Sequence, residues 1–167
     1  MKFKPSYTSS IAEDIMAERL IRAQAVEFLA DAPMRLKSGL ISPVYVDNRK
    51  LFSHPEAWRD IVETMASRVE EYDLEFDIVA GVEAAGSMHA AALAYRLGLP
   101  AIMVRQKAKT YGNHSRIEGG DVKGMRVLLL EDHISTGLSC LDAIRALRGE
   151  GAQVTQVMSI TNYAIPE

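Results

Sequence analysis

One cysteine, Cys140, stands in 167 residues, so no disulfide can form within the chain and no cysteine cluster can hold zinc. That usage fits a reducing compartment, and a cytoplasmic location is expected. Long apolar runs are missing too. None approaches the roughly 20 residues of a membrane-spanning helix, so no membrane partner is expected. The opening MKFKPSYTSS has two lysines with no apolar stretch behind them, which is not the pattern of a secretory signal. Basic charge is not in excess: 19 Lys+Arg face 22 Asp+Glu, a formal net charge of −3. A general nucleic-acid binder would carry a basic patch or stripe, so no nucleic-acid partner is expected. Internal repeats and low-complexity segments are also lacking. What is present is ordinary globular composition, 48% hydrophobic and 25% charged, at a length that suits one domain over residues 1–167.

Ile11, Ile15, Leu20, Ala23, Val26 and Leu29 recur at helical spacing and predict an amphipathic helix across residues 8–30, stopped by Asp31-Ala32-Pro33. Lys37-Ser38-Gly39 reads as a turn between two extended pieces at 34–36 and 44–47. Pro55 suits the first turn of a helix reaching residue 71, with Trp58, Ile61, Val62, Met65 and Val69 on one face. From residue 76 the pattern changes. Short unbroken apolar runs at 76–80, 101–104, 127–130 and 154–160 predict strands. Helical stretches at 88–97 and through Ile144 and Leu147 separate them, while 105–120 is polar, basic and without apolar period. A loop of that length is usually functional. Buried strands alternating with helices give an α/β fold, a mostly parallel central sheet with helices on both faces. Ligands of such sheets bind at the carboxyl ends of the strands, which singles out 81–86, 105–120 and 131–139.

The richest string is VLLLEDHISTGLS at 127–139. An apolar strand delivers two adjacent acids, and a hydroxyl-rich turn then opens a helix. Backbone N–H groups of a tight turn and a helix N-terminus make a cradle for phosphate. Ser135, Thr136 and Ser139 add hydroxyl donors, and Gly137 lets the backbone come close to the anion. Glu131 and Asp132 would repel phosphate. They suit instead the acceptance of hydrogen bonds from vicinal hydroxyls, or the holding of Mg²⁺ through water. Phosphate donors beside hydroxyl acceptors describe a site for a sugar phosphate. His54 reads as a helix-start residue, His89 and His114 as without catalytic role, the methionines as core fillers and Cys140 as packed.

That string resembles the phosphoribosyl-diphosphate (PRPP) signature of the type I phosphoribosyltransferases. LKSGLISPVYVDNR at 36–49, DIVAGVEAAG at 77–86 and VRQKAKTYGNHSRIEG at 104–119 are similar to segments of the orotate phosphoribosyltransferases, in that family's order. The resemblance implies transfer of 5-phosphoribose from PRPP to orotate, with Mg²⁺ as cofactor, giving orotidine 5-monophosphate and pyrophosphate in pyrimidine synthesis. It also implies a small N-terminal hood, to which residues 1–50 contribute a helix and a segment. By position, Glu131 and Asp132 become the ribose acids, with Asp132 counted as catalytic. Ser135, Thr136, Gly137, Leu138 and Ser139 become the 5-phosphate loop. Lys37 matches a lysine near base and pyrophosphate. Arg105 matches a pyrophosphate-binding arginine, and Lys107 and Tyr111 join it as substrate-binding residues. Lys109 matches the catalytic loop lysine that reaches the active site of the neighbouring subunit, so a homodimer is implied.

The sequence departs from the family at several points. His133 follows the acids where an aliphatic residue is usual. Gln106 stands where many members have a second lysine or arginine. Asn162-Tyr163 falls where many have Asp-Arg, the arginine helping to read the orotate carboxylate, although some bacterial members lack that pair as well. The sequence stops soon after the last expected strand, where members usually continue for tens of residues. Two other readings stay open: a phosphoribosyltransferase for another nucleobase, and a PRPP-binding regulator with little catalysis.

Overall fold

The computed structural model describes residues 11–35, 39, 41–108 and 115–163. In chain order the elements are α1 (Ile11–Arg22), β1 (Val26–Phe28), β2 (Met34–Arg35), β3 (Ile41–Ser42), β4 (Val44–Val46), a 3₁₀ turn (Asn48–Ser53), α2 (Pro55–Glu71), β5 (Ile78–Val82), α3 (Ala85–Leu97), β6 (Ala101–Val104), β7 (Ile117–Glu118), β8 (Arg126–Ile134), α4 (Leu138–Gly149) and β9 (Gln153–Asn162).

A five-stranded sheet in the order β7-β6-β5-β8-β9 organises the chain. β5 runs parallel to β6 and β8, and β8 parallel to β9, so the expected mostly parallel α/β sheet is present. Every residue of β5 is buried, which is why these strands read as unbroken apolar runs. Side chains alternate between two cores. Val79, Leu128 and Leu130 pack with Ile61, Met65 and Leu93 of α2 and α3. Ile78, Ala80, Leu129 and Val127 pack with Cys140, Ala143 and Leu147 of α4. Helices therefore cover both faces.

Four expectations need correction. The first helix ends at Arg22, not near residue 30. Gln24 turns left-handed at φ 53°, and the Ala25 N–H donates to the Leu20 carbonyl, which closes the helix. β-Branched Val26 then opens β1, which pairs antiparallel with β4. Ile11 and Ile15, placed on the expected buried face, are exposed, whereas Leu20 and Ala23 are buried. Second, a further strand, Ile41–Ser42, lies between the two extended pieces expected at 34–36 and 44–47 and pairs with the one that starts at Met34. Third, the polar stretch 105–120 contains β7, an antiparallel return strand on β6. A two-residue strand with one apolar side chain, Ile117, leaves no period to read. Fourth, β8 does not close at the acid pair. It continues to Ile134, pairing Glu131 with Ser159 and His133 with Thr161.

The turn from β5 into α3 passes close beneath the sheet end. A Cβ on Gly81 would lie 2.4 Å from the Ser87 Cα, 2.5 Å from the Gly86 carbonyl oxygen and 2.7 Å from the Ala90 Cβ. Backbone cannot yield as a flexible side chain does. Gly81→Ala should therefore cost about 3 kcal/mol, the upper range of overpacking. Urea unfolding of the variant beside the parent checks this, with a clear fall in midpoint expected.

Candidate active site

Residue by residue, β8 passes from core to cleft. Leu128 to Leu130 are fully buried, Glu131 is 6% exposed, and the residues beyond it open gradually. The Glu131 carboxyl is boxed in. Its Oε1 accepts from the Asp132 N–H at 3.2 Å. Gly86 of α3 backs it so closely that a Cβ there would meet the Leu130 carbonyl at 2.8 Å and Oε1 at 3.2 Å. Burial, and then the neighbouring Asp132 carboxyl, push the Glu131 pKa up to about 8.

A hydrogen-bond chain runs behind the pair. Asn48 Nδ2 donates to the Asp132 carbonyl at 2.6 Å and to Thr161 Oγ1 at 2.8 Å. Thr161 Oγ1 lies 2.9 Å from His133 Nδ1 and donates to the Asp132 carbonyl at 3.4 Å. His133 Nε2 is buried and meets no hydrogen-bond partner among the described residues. Burial lowers the His133 pKa, against the pull of the Asp132 charge. The Tyr163 ring meets the His133 ring edge-on at 4.4 Å, and the Tyr163 hydroxyl donates to the Val44 carbonyl at 2.8 Å. The position where many relatives of the resemblance carry arginine thus ties β4 to the end of β9.

The turn after β8 is built as expected. Gly137 has φ 75° and precedes α4, and no side chain caps the helix start. The first-turn N–H groups are therefore directed at the space before the helix. Ser135, Thr136, Gly137, Leu138 and Ser139 line a small hollow with Glu131 and His133. Ser139 also lines two neighbouring hollows. One lies among Asp47, Arg49, Glu83, Ala84, Glu131 and Asp132. The other lies among Gln106, Lys107, Arg116, Thr136 and Asp142. Together they form one depression at the carboxyl ends of the parallel strands. Another depression, between α1 and the start of α2, is lined by Arg19, Arg22 and Asp60, but its arginines already pair with Asp60 and Glu18.

The structure does not gather every expected residue. Glu131, Asp132, the 135–139 turn and Lys107 come together. Arg105 turns instead to β7, where Nη1 donates to Glu118 Oε1 at 2.9 Å. Gln106 ties the loop to the 81–86 turn, its N–H donating to Glu83 Oε2 at 3.0 Å and its Nε2 to the Glu83 carbonyl at 3.1 Å. The Glu83–Ala84 peptide in that turn is cis. Lys37, Lys109 and Tyr111 lie outside the described residues. Two lining arginines escaped the reading of the sequence. Arg49 faces the acid pair, clamped by Asp47 through bonds of 2.6 and 2.9 Å that raise its pKa further. Its signal was the Asp-x-Arg spacing inside a segment already singled out. Arg116 bridges the Arg105 carbonyl and Asp142 at 2.7 and 2.6 Å.

The raised Glu131 pKa has a sign that can be tested. In the unfolded chain this carboxyl titrates near 4.5, and in the folded chain near 8. Between those values the folded state holds the extra proton, so the stability it contributes is complete below the lower value and is lost as pH rises through the upper one. Urea unfolding of wild type and Glu131→Gln at intervals from pH 4 to 9 should show the wild type alone losing this increment. Parallel curves would mean that the carboxyl is ionised throughout.

Comparison with known proteins agrees with this geometry. Residues 47–166 match the phosphoribosyl transferase domain. The chain is 46% identical to the orotate phosphoribosyltransferase of Coxiella burnetii over 152 residues, 91% of this chain and 73% of that one. It is 38% identical to the Bacillus subtilis orotate phosphoribosyltransferase over 159 residues, 95% and 74% of the two chains. Among solved structures, the orotate phosphoribosyltransferase of Aeropyrum pernix superimposes with a TM-score of 0.74 at 28% identity, covering 89% of this chain and 93% of that one. With the domain match extending over most of its length, the chain belongs to the phosphoribosyltransferase family.

Proposed function

We propose that this chain is an orotate phosphoribosyltransferase. It moves 5-phosphoribose from PRPP to orotate and releases pyrophosphate and orotidine 5-monophosphate. The observation that carries the reading is the placement of two carboxylates and a helix-start anion cradle a few residues apart, at the end of one buried strand. Curated relatives 38% and 46% identical to this chain carry that activity.

In this reading the 135–139 turn binds the 5-phosphate through N–H and hydroxyl donors, and Glu131 and Asp132 accept from the ribose hydroxyls. The bond from C1 to the pyrophosphate oxygen breaks and its electrons leave with pyrophosphate. A base nitrogen forms the new bond to C1, and its proton passes to the released pyrophosphate or to solvent. Positive charge grows on the ribose as the bond breaks, as in glycosyl transfer generally. The Asp132 carboxylate favours that charge, and Lys107, Lys109 and Lys37 favour the charge gathering on pyrophosphate. Arg105 joins them once released from Glu118. The 105–120 loop, anchored by β7 and Gln106, excludes water from the reacting carbon.

Mg²⁺ is the proposed cofactor. Among the described residues no cluster of three ligating side chains exists. The paired carboxylates instead fit the mode in which one or two acids, substrate phosphates and water share the ion. When bound, it supplies charge neutralisation to the pyrophosphate oxygens. The chain is proposed to act as a single domain, cytoplasmic and homodimeric, with the Lys109 loop completing the neighbouring subunit's site. No helix among the described residues is long and apolar enough to cross a membrane.

A base panel with PRPP and Mg²⁺ tests the reading. Orotate should be consumed with release of pyrophosphate, and uracil and purines should not. Consumption of a purine alone would move the chain to another base, and PRPP binding without any turnover would make it a regulator. Asp132→Asn should raise the KM for PRPP at least about tenfold, the scale of losing a charged hydrogen bond. Unchanged KM would remove the ribose contact. Mixing Lys109→Ala with Asp132→Asn protein should restore part of the activity in hybrid dimers. No recovery after verified subunit exchange would deny a shared loop.

A further inference from the structure

We propose that Asn48 is a positioning residue for the ribose acids, holding the Asp132 peptide in place from the N-terminal segment. This rests on the reading of Glu131 and Asp132 as acceptors of ribose hydroxyls.

The sheet supports β8 on both sides only as far as Leu130. Pairing with β5 ends at Gly81 and Leu130. Beyond that point β8 keeps only β9 as a strand neighbour, through Glu131 with Ser159, His133 with Thr161 and Ile134 with Asn162. The acids therefore sit on a stretch held from one side. A strand so held is free to tilt, and a carboxylate on it moves with its peptide.

Asn48 supplies the missing hold. It is fully buried at the start of the 3₁₀ turn, 84 positions from Asp132 and 113 from Thr161. An amide nitrogen carries two hydrogens, and both are used. One goes to the Asp132 carbonyl at 2.6 Å and the other to Thr161 Oγ1 at 2.8 Å. A single side chain thus ties β8 to β9 just where the acid pair leaves the core. Its Oδ1 meets no hydrogen-bond partner among the described residues, so the amide serves here as a donor only. Leucine would fill such a buried position without leaving an unpaired acceptor. The Tyr163 hydroxyl makes a parallel tie to the Val44 carbonyl. Together the two bonds couple the segment before α2 to the carboxyl ends of β8 and β9.

Misplacing a binding carboxylate by a fraction of an ångström weakens the contact that it makes without touching other subsites. Asn48→Leu keeps the volume and removes the donors. Asn48→Asp keeps the shape and sets a carboxylate against the Asp132 carbonyl. Both should raise the KM for PRPP, and the dissociation constant for ribose 5-phosphate measured by calorimetry, by about tenfold, the scale of one or two lost hydrogen bonds. The KM for orotate should stay within about twofold, because only contacts to the ribose are disturbed. A purely structural role would lower the active fraction, hence kcat, with both KM values unmoved, and that result overturns the proposal. Equal rises in both KM values overturn it too.

Thr161→Val provides a second route if the Asn48 variants do not fold. It removes one recipient of the amide and should raise the ribose 5-phosphate constant by about threefold, as one neutral hydrogen bond would. An unchanged constant overturns the proposal. Ribose 5-phosphate contains no base, so this measurement reads Asn48 even if orotate is the wrong acceptor. Wild-type chain that fails to bind ribose 5-phosphate would bring down the site reading and this proposal together.

Discussion

Placing two carboxylates side by side at the end of a buried strand is electrostatically costly, and the surrounding structure is arranged around that cost. Glu131 is nearly enclosed, lies against Gly86 and has Asp132 as its neighbour. Desolvation and the adjacent acid both favour its protonated form. A ligand with two adjacent hydroxyls relieves the arrangement, because its hydroxyls add donors to the single Asp132 N–H that Glu131 accepts. The histidine that follows could have neutralised the acids had it been charged. Its ring pairs with Thr161 Oγ1 and is partly buried, which disfavours that charge.

Geometry divides the proposed ligand between two kinds of backbone. The acid end belongs to a strand locked in register with β9. The phosphate end belongs to a turn and to the first N–H groups of α4, which the α4 core residues Cys140, Ala143 and Leu147 anchor to the sheet. The core anchors the phosphate end through α4, and β9 with Asn48 holds the acid end. Cations are carried differently. Lys107 lies on the rim, next to the ties from Gln106 to Glu83. Arg105 is held by Glu118. A sugar site built on the core, with its cations on the neighbouring segment, suits a reaction in which the leaving group must be neutralised and later released.

Much of this was legible in the amino-acid order. The unbroken apolar runs 101–104 and 127–130 read as strands and are strands, and the Ser-Thr-Gly turn after an apolar strand announced the start of α4. The second helix matched its periodicity to the residue. Failures occurred where local pattern and tertiary pairing compete. Val26 fits a helical stripe, yet a left-handed Gln24 and the availability of β4 as a partner make it a strand. β7 is too short to carry a period. Asn48 and Thr161 gave no local sign of importance, since their role exists only once positions 113 apart meet. Arg49 was within reach, because an acid two residues before an arginine is a simple clamp.

The central claim is that one pentose phosphate spans the acid pair and the turn. Its most direct test is a crystal structure of the chain with ribose 5-phosphate bound. The account predicts the phosphate oxygens against the N–H groups of 136–139 and two ring hydroxyls within hydrogen-bond distance of Glu131 and Asp132. A phosphate lodged instead in the arginine-lined depression between α1 and α2, with both carboxylates untouched, would contradict it.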